Sequence, residues 1–152
     1  AIDAMKLLKD KGVKARWYVL GEGDQRPILE TQINRLELKD DFILLGATDN
    51  PYPYYAQTDL YVHATRFEGK SIAIQEAQTL GCPMVVSDCS GNREQVIPNV
   101  DGVLCELTPE GICAGILELY EDEGKRLRYG QEAGKKQLTN PEEISKLLEL
   151  IQ

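Results

Sequence analysis

Histidine is scarce and long hydrophobic runs are missing. His63 is the only histidine in 152 residues, which nearly excludes a histidine-based metal site or a catalytic triad within this chain. No stretch of about 18 apolar residues occurs, so no segment is suited to crossing a bilayer. Basic residues are the minority, 17 Lys and Arg against 25 Asp and Glu, for a net charge of -8. A nucleic-acid surface needs a basic footprint, and docking to an anionic membrane needs a polybasic one. The four cysteines, Cys82, Cys89, Cys105 and Cys113, stand 7, 16 and 8 positions apart. That spacing is neither a Cys-x-x-Cys pair nor a metal-ligand pattern, and the thiols are read as small core residues in a reducing compartment. The opening residues are charged and helical in pattern, unlike a secretory leader.

What is present is an ordinary globular balance, 42% hydrophobic and 28% charged, enough for a single core. Ala1, Ala4, Met5 and Leu8 share one helical face over residues 1–11, and Gly12 is placed to end that helix. Apolar runs predict strands at 15–20, 42–45, 60–64, 84–87 and 103–105. Between them, helices are expected at about 26–37, 54–57, 71–80 and 109–121, with a helical turn within 90–97 and charged helices over the remainder. Alternating strands and helices indicate an α/β domain with a mainly parallel, Rossmann-like sheet flanked by helices. Ligands of such sheets sit beyond the C-terminal ends of the strands, so the loops after Leu20, Leu45, Ala64 and Ser87 are the places to search.

The loop after Ala64 carries the most chemistry. Glu68-Gly69-Lys70-Ser71 runs directly into a predicted helix, whose free N–H groups and positive dipole end suit a phosphate. Gly69 permits close backbone approach, Lys70 brings charge, and the Ser71 hydroxyl can cap the helix or reach an oxygen. Glu76 shares a predicted apolar stripe with Ile72, Ala73, Ala77 and Leu80. A carboxylate there must snorkel at the edge or accept hydrogen bonds, for which a ribose diol one turn beyond a diphosphate is suited. A phosphate loop of the Walker type competes: Ala64-x4-Gly69-Lys70-Ser71 approximates one, and Val85-Val86-Ser87-Asp88 ends a strand in Asp. Against it, Thr65-Arg66-Phe67-Glu68 is bulky and acidic where backbone N–H groups must wrap the anion. A catalytically silent nucleotide-binding or partner-binding module is a third reading.

The segment FEGKSIAIQEAQTLGCPMVVSD resembles the signature of the retaining GT-B glycosyltransferases of family 4, in which an E-x7-E pattern spans a glycine-containing loop and the following helix. Glu68 and Glu76 supply that spacing. The likeness extends to Trp17–Gly23, to Phe42–Asn50, to Asp59–Val62, to Gly91–Val96 and to Asp101–Leu104. It implies that Glu68 acts at the transferred sugar and that the backbone of Gly69, Lys70, Ser71 and Ile72 meets the diphosphate. Glu76 then binds the ribose and the backbone near Thr48 meets the base. Ser71 and Lys70 depart from the usual glycine and aromatic residue of that loop. His63 is read as packing rather than proton transfer, and Arg93 as a solvated surface charge.

The resemblance further implies a hexosyl donor in the form of a UDP-, GDP- or ADP-sugar, no obligatory metal, and a glycan or lipid-linked acceptor. No Asp-x-Asp motif is present. It also implies that this chain is one domain, 1–152, of a longer protein, lacking that domain's first strand with its Gly-Arg turn and Lys, and lacking an N-terminal acceptor domain. Such a piece alone is expected to bind a nucleotide diphosphate weakly and to transfer no sugar. A bacterial polysaccharide pathway and a cytoplasmic site, peripheral at the inner face of the membrane, are the expected setting.

Overall fold

The computed structural model describes residues 1–136. The first helix, α1 (Ile2–Asp10), buries Ala4, Met5 and Leu8 as expected from their spacing, but Ile2 rather than Ala1 completes the face, since Ala1 precedes the helix and is exposed. Gly12 follows it at φ 79°, a conformation that glycine adopts without a Cβ penalty. The chain continues through β1 (Trp17–Leu20), α2 (Arg26–Arg35), β2 (Phe42–Gly46), α3 (Tyr52–Tyr55) and β3 (Tyr61–His63). Then come α4 (Ile72–Thr79), β4 (Met84–Ser87), α5 (Ser90–Gln95), β5 (Val103–Cys105), α6 (Pro109–Glu121) and α7 (Glu123–Gly134). The charged helices expected after 121 are met by α7, and residues 137–152 lie outside the described region. One helix begins earlier than its pattern suggested. Pro51 and Pro53 pre-set the first turn of α3, and Asn50 Oδ1 accepts the Tyr52 N–H at 3.2 Å, so the helix spans 52–55 and not 54–57.

Every strand pairing is parallel, as expected, but the strands form two hydrogen-bonded sheets rather than one: β1–β2, and β3–β4–β5 in that order. Among the described residues β1 and β3 are each paired on one side only. A shared hydrophobic cluster nevertheless joins the sheets, drawing Phe42 from β2, Val85 from β4 and Val103 and Cys105 from β5 against α1 and α6.

The central strand β4 is buried along its whole length, and its side chains alternate between two cores. Val85 packs with Ile112, Ile116 and Leu119 of α6 on one face. Met84 and Val86 pack with Ile74 and Ala77 of α4 on the other. Gly115 lets α6 lie close, because a Cβ there would stand 2.9 Å from Val85 Cγ1. The buried face of α4 is Ile74, Ala77 and Gln78, whereas Ile72 and Leu80 are exposed. Glu76 therefore does not lie within a buried apolar stripe. It sits on the flank of α4, partly exposed, contrary to the expectation from sequence, because the helix turns Ile74, Ala77 and Gln78 inward instead.

Candidate functional site

The segment from Ala64 to Ser71 leaves the C-terminal end of β3 and is fixed from below by the neighbouring β4–α5 connection. Thr65 N–H donates to Ser87 Oγ at 3.0 Å, and the Ser87 hydroxyl donates to Thr65 O at 2.6 Å. Asn92, fully buried, donates from Nδ2 to Ser87 O at 2.8 Å and so ties α5 to the same point. Gly91 then lies directly under the loop: a Cβ there would be 2.0 Å from Gly69 O and 2.2 Å from Glu68 O. Only the absence of a side chain allows that approach.

Gln95 of α5 grips the start of α4. Its Oε1 accepts the Ser71 N–H at 2.7 Å, and its Nε2 donates to Ser71 O at 2.9 Å, both within the buried interior. The Ser71 hydroxyl caps the helix, accepting from Ile74 N at 3.4 Å. The Ser71 amide is thus already engaged, while among the described residues the N–H groups of Gly69, Lys70, Ile72 and Ala73 donate to no protein acceptor. Gly69 has open space where a Cβ would be. Lys70 is exposed, forms no ion pair among the described residues, and borders a cleft of about 310 Å³ shared with Glu94, Gln95 and Lys136. The result is a short run of unpaired donors at a helix N-terminus, with space in front of one glycine.

A carboxylate stands on each side of these donors. Glu68 is partly buried, and its Oε2 lies 3.0 Å from His63 Nε2. His63 Nδ1 lies 2.9 Å from the Tyr61 hydroxyl, and burial holds the Tyr61 phenol well above its ordinary range. Glu76 accepts from the Tyr52 hydroxyl at 3.1 Å, and that bond raises the Tyr52 phenol. Tyr52 begins α3, so this contact ties α4 to the connection after β2, where Thr48 Oγ1 and the backbone of Asn50 bond each other at 3.2 Å.

The sequence-derived residues thus fall at one end of the strands: Glu68 to Ile72 in one continuous stretch, Glu76 a turn along α4, and Thr48 in the neighbouring loop. Tyr52, Gln95, Ser87 and Asn92 were not foreseen. Tyr52 stands in Asn50-Pro51-Tyr52-Pro53, strong turn chemistry that gives no sign of a contact with Glu76. His63, expected to pack, is bonded at both ring nitrogens. Arg93 is exposed as expected and chelates Asp88 through Nε at 2.5 Å and Nη2 at 3.0 Å, lowering the Asp88 carboxyl below its ordinary range. Asp88 is the position a Walker B carboxylate would take, and its two oxygens are spent on that arginine.

Among the described residues no three His, Cys, Asp or Glu side chains gather as a metal site. No described helix is long and apolar enough to cross a membrane. Cys82, Cys105 and Cys113 are buried free thiols and Cys89 is partly exposed.

The sequence matches the family described as glycosyl transferases group 1 over residues 1–136. It is 33% identical over 117 residues to the Campylobacter jejuni N-acetylgalactosamine-N,N'-diacetylbacillosaminyl-diphospho-undecaprenol 4-alpha-N-acetylgalactosaminyltransferase, covering 76% of this chain and 32% of that enzyme. In fold it is similar to a Staphylococcus aureus TarM mutant crystallised with fondaparinux, alpha-GlcNAc-glycerol and UDP, with a TM-score of 0.89, 22% identity, 98% of this chain and 31% of that one. It is likewise similar to Anabaena HepE in complex with UDP, with a TM-score of 0.85, 23% identity, 98% of this chain and 44% of that one. These likenesses give the α/β, Rossmann-like architecture of one half of a GT-B glycosyltransferase. The chain spans between 16% and 32% of the length of eight curated relatives it matches.

Proposed function

The chain belongs to the glycosyl transferases group 1, and we propose that it is the nucleotide-sugar-binding half of a retaining enzyme of family 4. In that role it presents a hexosyl donor to a glycan or lipid-linked acceptor. One observation carries the proposal: at the C-terminal end of β3, unpaired N–H groups at the start of α4 are flanked by Glu68 before the helix and Glu76 within it. That is a diphosphate site with a carboxylate acceptor of hydroxyl hydrogen bonds at either end.

The diphosphate lies against the N–H groups of Lys70 and Ile72 and in the space before Gly69, while the Ser71 amide holds the loop through Gln95. Lys70 adds charge from the side. Glu76 receives the ribose diol, with Thr48 beside the base, and Glu68 contacts the hexosyl hydroxyls at the reacting face of the sugar. Departure of the diphosphate develops negative charge at the helix N-terminus, and fixed donors aimed there stabilise it without reorganisation. No metal is needed as an obligatory counter-charge in this scheme.

The whole enzyme, on this proposal, carries a further strand beside β1 and β3, each of which is paired on one side only among the described residues, and a second domain that supplies acceptor contacts and further cations. The chain by itself then binds nucleotide weakly and transfers no sugar. The setting proposed is cytoplasmic, peripheral to the inner membrane face, in polysaccharide assembly. The Campylobacter relative, named for a diphospho-undecaprenol-linked substrate, is consistent with a lipid-linked acceptor.

Calorimetric titration of the chain with UDP, GDP and ADP, with and without a chelator, tests the proposal. Binding of at least one diphosphate that survives chelation and falls about tenfold or more in Glu76→Ala is expected. Strict magnesium dependence with preference for a triphosphate, or sugar transfer by this chain alone, overturns it. For the full-length enzyme, NMR of the product's anomeric proton decides retention.

A further inference from the structure

Tyr61 and His63 are two residues apart in β3, so their side chains project from the same face. Their rings lie 6.0 Å apart with an interplanar angle of 23°, and Tyr55 packs edge-on against Tyr61 at 5.6 Å. His63 closes this aromatic column and is the only residue that hydrogen bonds the Glu68 carboxylate among the described residues. An ionised carboxylate has no proton to give, so Nε2 must be the donor in that bond. In a neutral imidazole the other nitrogen is then an acceptor, which suits the Tyr61 hydroxyl as donor. The opposite polarity would set the Nε2 lone pair against the carboxylate lone pairs.

We propose that His63 is a positioning residue for Glu68: the bond from Tyr61 selects its Nε2–H tautomer, and that N–H holds one carboxylate oxygen so that the second faces the donor sugar. This rests on the proposed placement of the sugar at Glu68. The contact otherwise has little structural purpose. Glu68 is 28% exposed in its side chain and would be satisfied by water, and Gln95 and Ser87 already fix the loop backbone around it. A histidine on a strand beneath the loop adds control of the direction of the carboxylate. The hydrogen bond persists if the ring is charged, since both nitrogens then donate.

The single histidine makes the test unambiguous. In long-range proton–nitrogen spectra of the nitrogen-15-labelled chain, Nε2 is expected to carry the proton and Nδ1 to show the acceptor-type shift. Tyr61→Phe is expected to produce a mixture of tautomers. An Nδ1–H tautomer, or an even mixture in the parent chain, overturns the proposal. Binding is then compared for UDP and UDP-glucose, with the GDP/GDP-mannose and ADP/ADP-glucose pairs alongside. His63→Leu is expected to weaken the sugar nucleotide about tenfold more than its diphosphate. His63→Gln, which keeps an amide donor, is expected to recover most of that difference. Equal weakening of both ligands in His63→Leu, or no recovery in His63→Gln, makes the histidine merely structural and overturns the proposal. If the parent chain binds a diphosphate but gains nothing from the sugar, the inference about Glu68 falls while the nucleotide site stands. If it binds no nucleotide, the proposed function falls, and the inference with it.

Discussion

Replacement of Gly91 by alanine gives the sharpest test of how the loop is built. The new Cβ would stand 2.0 Å from Gly69 O and 2.2 Å from Glu68 O, whereas an ordinary carbon–oxygen approach is about 3.3 Å. Relief requires the loop or α5 to retreat by roughly 1 Å. The helix is the less movable side, since Asn92 and Gln95 are buried and bonded to Ser87 and Ser71. The exposed loop therefore yields, carrying Glu68 and Gly69 away from the start of α4. Overpacking of this kind costs about 1–3 kcal/mol, a fall in Tm of roughly 3–10 °C for a chain of this size. A displacement near 1 Å in a binding constellation costs on the order of a hundredfold in transfer by the full-length enzyme.

Gly69→Ala is the matched control, because its Cβ meets nothing within 4 Å and its φ is not positive. That variant is expected to melt within about 0.5 kcal/mol of the parent, yet to lose nucleotide affinity because the Cβ fills the space assigned to the diphosphate. Urea unfolding and calorimetric titration read both effects. Gly91→Ala with unchanged midpoint and unchanged affinity would refute the packing argument, and Gly69→Ala with unchanged affinity would refute close approach of the ligand at that residue.

Three further expectations follow from the same geometry. Gln95→Leu removes both bonds to Ser71 and leaves its buried N–H unpaired, while its C=O keeps the Gln75 N–H, so stability should fall by about 1–3 kcal/mol with loss of nucleotide affinity; an unchanged urea midpoint would contradict this. Tyr52→Phe frees Glu76 Oε1, and the ribose diol should then bind up to about threefold more tightly; a tenfold loss would instead mean that Tyr52 touches the ligand. Burial pushes the Cys82 and Cys105 thiols from 9.0 up to about 11. A raised folded-state value stabilises the protein below pH 9.0 and ceases to do so as the pH rises through about 11, so urea midpoints should decline across that window and a flat profile would contradict the assignment.

Much of the architecture was legible because burial and periodicity agree in it. The face of α1, the apolar strands and the glycine stops are local patterns, and local patterns survive translation into structure. The face of α4 did not survive, because Ile72 and Leu80 are apolar but exposed while Gln78 is polar but buried. Gln78 escapes the burial penalty by donating to Gln95 O at 2.7 Å, 17 residues away. The division into two sheets was equally invisible, since apolar runs reveal strands but not which edges meet. At the proposed site, Glu68 and Glu76 were singled out by the spacing of a family signature. Their partners were not, for Tyr52 reaches Glu76 across 24 positions and Gln95 reaches Ser71 across 24. His63 is only five positions from Glu68, but its contact depends on how the loop folds back over β3.

The two carboxylates share a design but differ in rigidity, and the difference has a consequence for binding. Each is held through one oxygen by a ring-bearing side chain, which leaves the other oxygen for a ligand hydroxyl. The holder of Glu68 is His63, 19% exposed in its side chain, carried on β3 and backed by Tyr61 of the same strand. The holder of Glu76 is Tyr52, 50% exposed at the start of a four-residue helix. Side chains on rigid elements lose little freedom on binding, whereas exposed ones must be ordered by the ligand. The sugar end of the proposed site is therefore preorganised and the ribose end adapts. Discrimination among sugars should then reside in the Glu68 end, while the Glu76 end tolerates movement of the exposed Tyr52 side chain as the nucleotide enters.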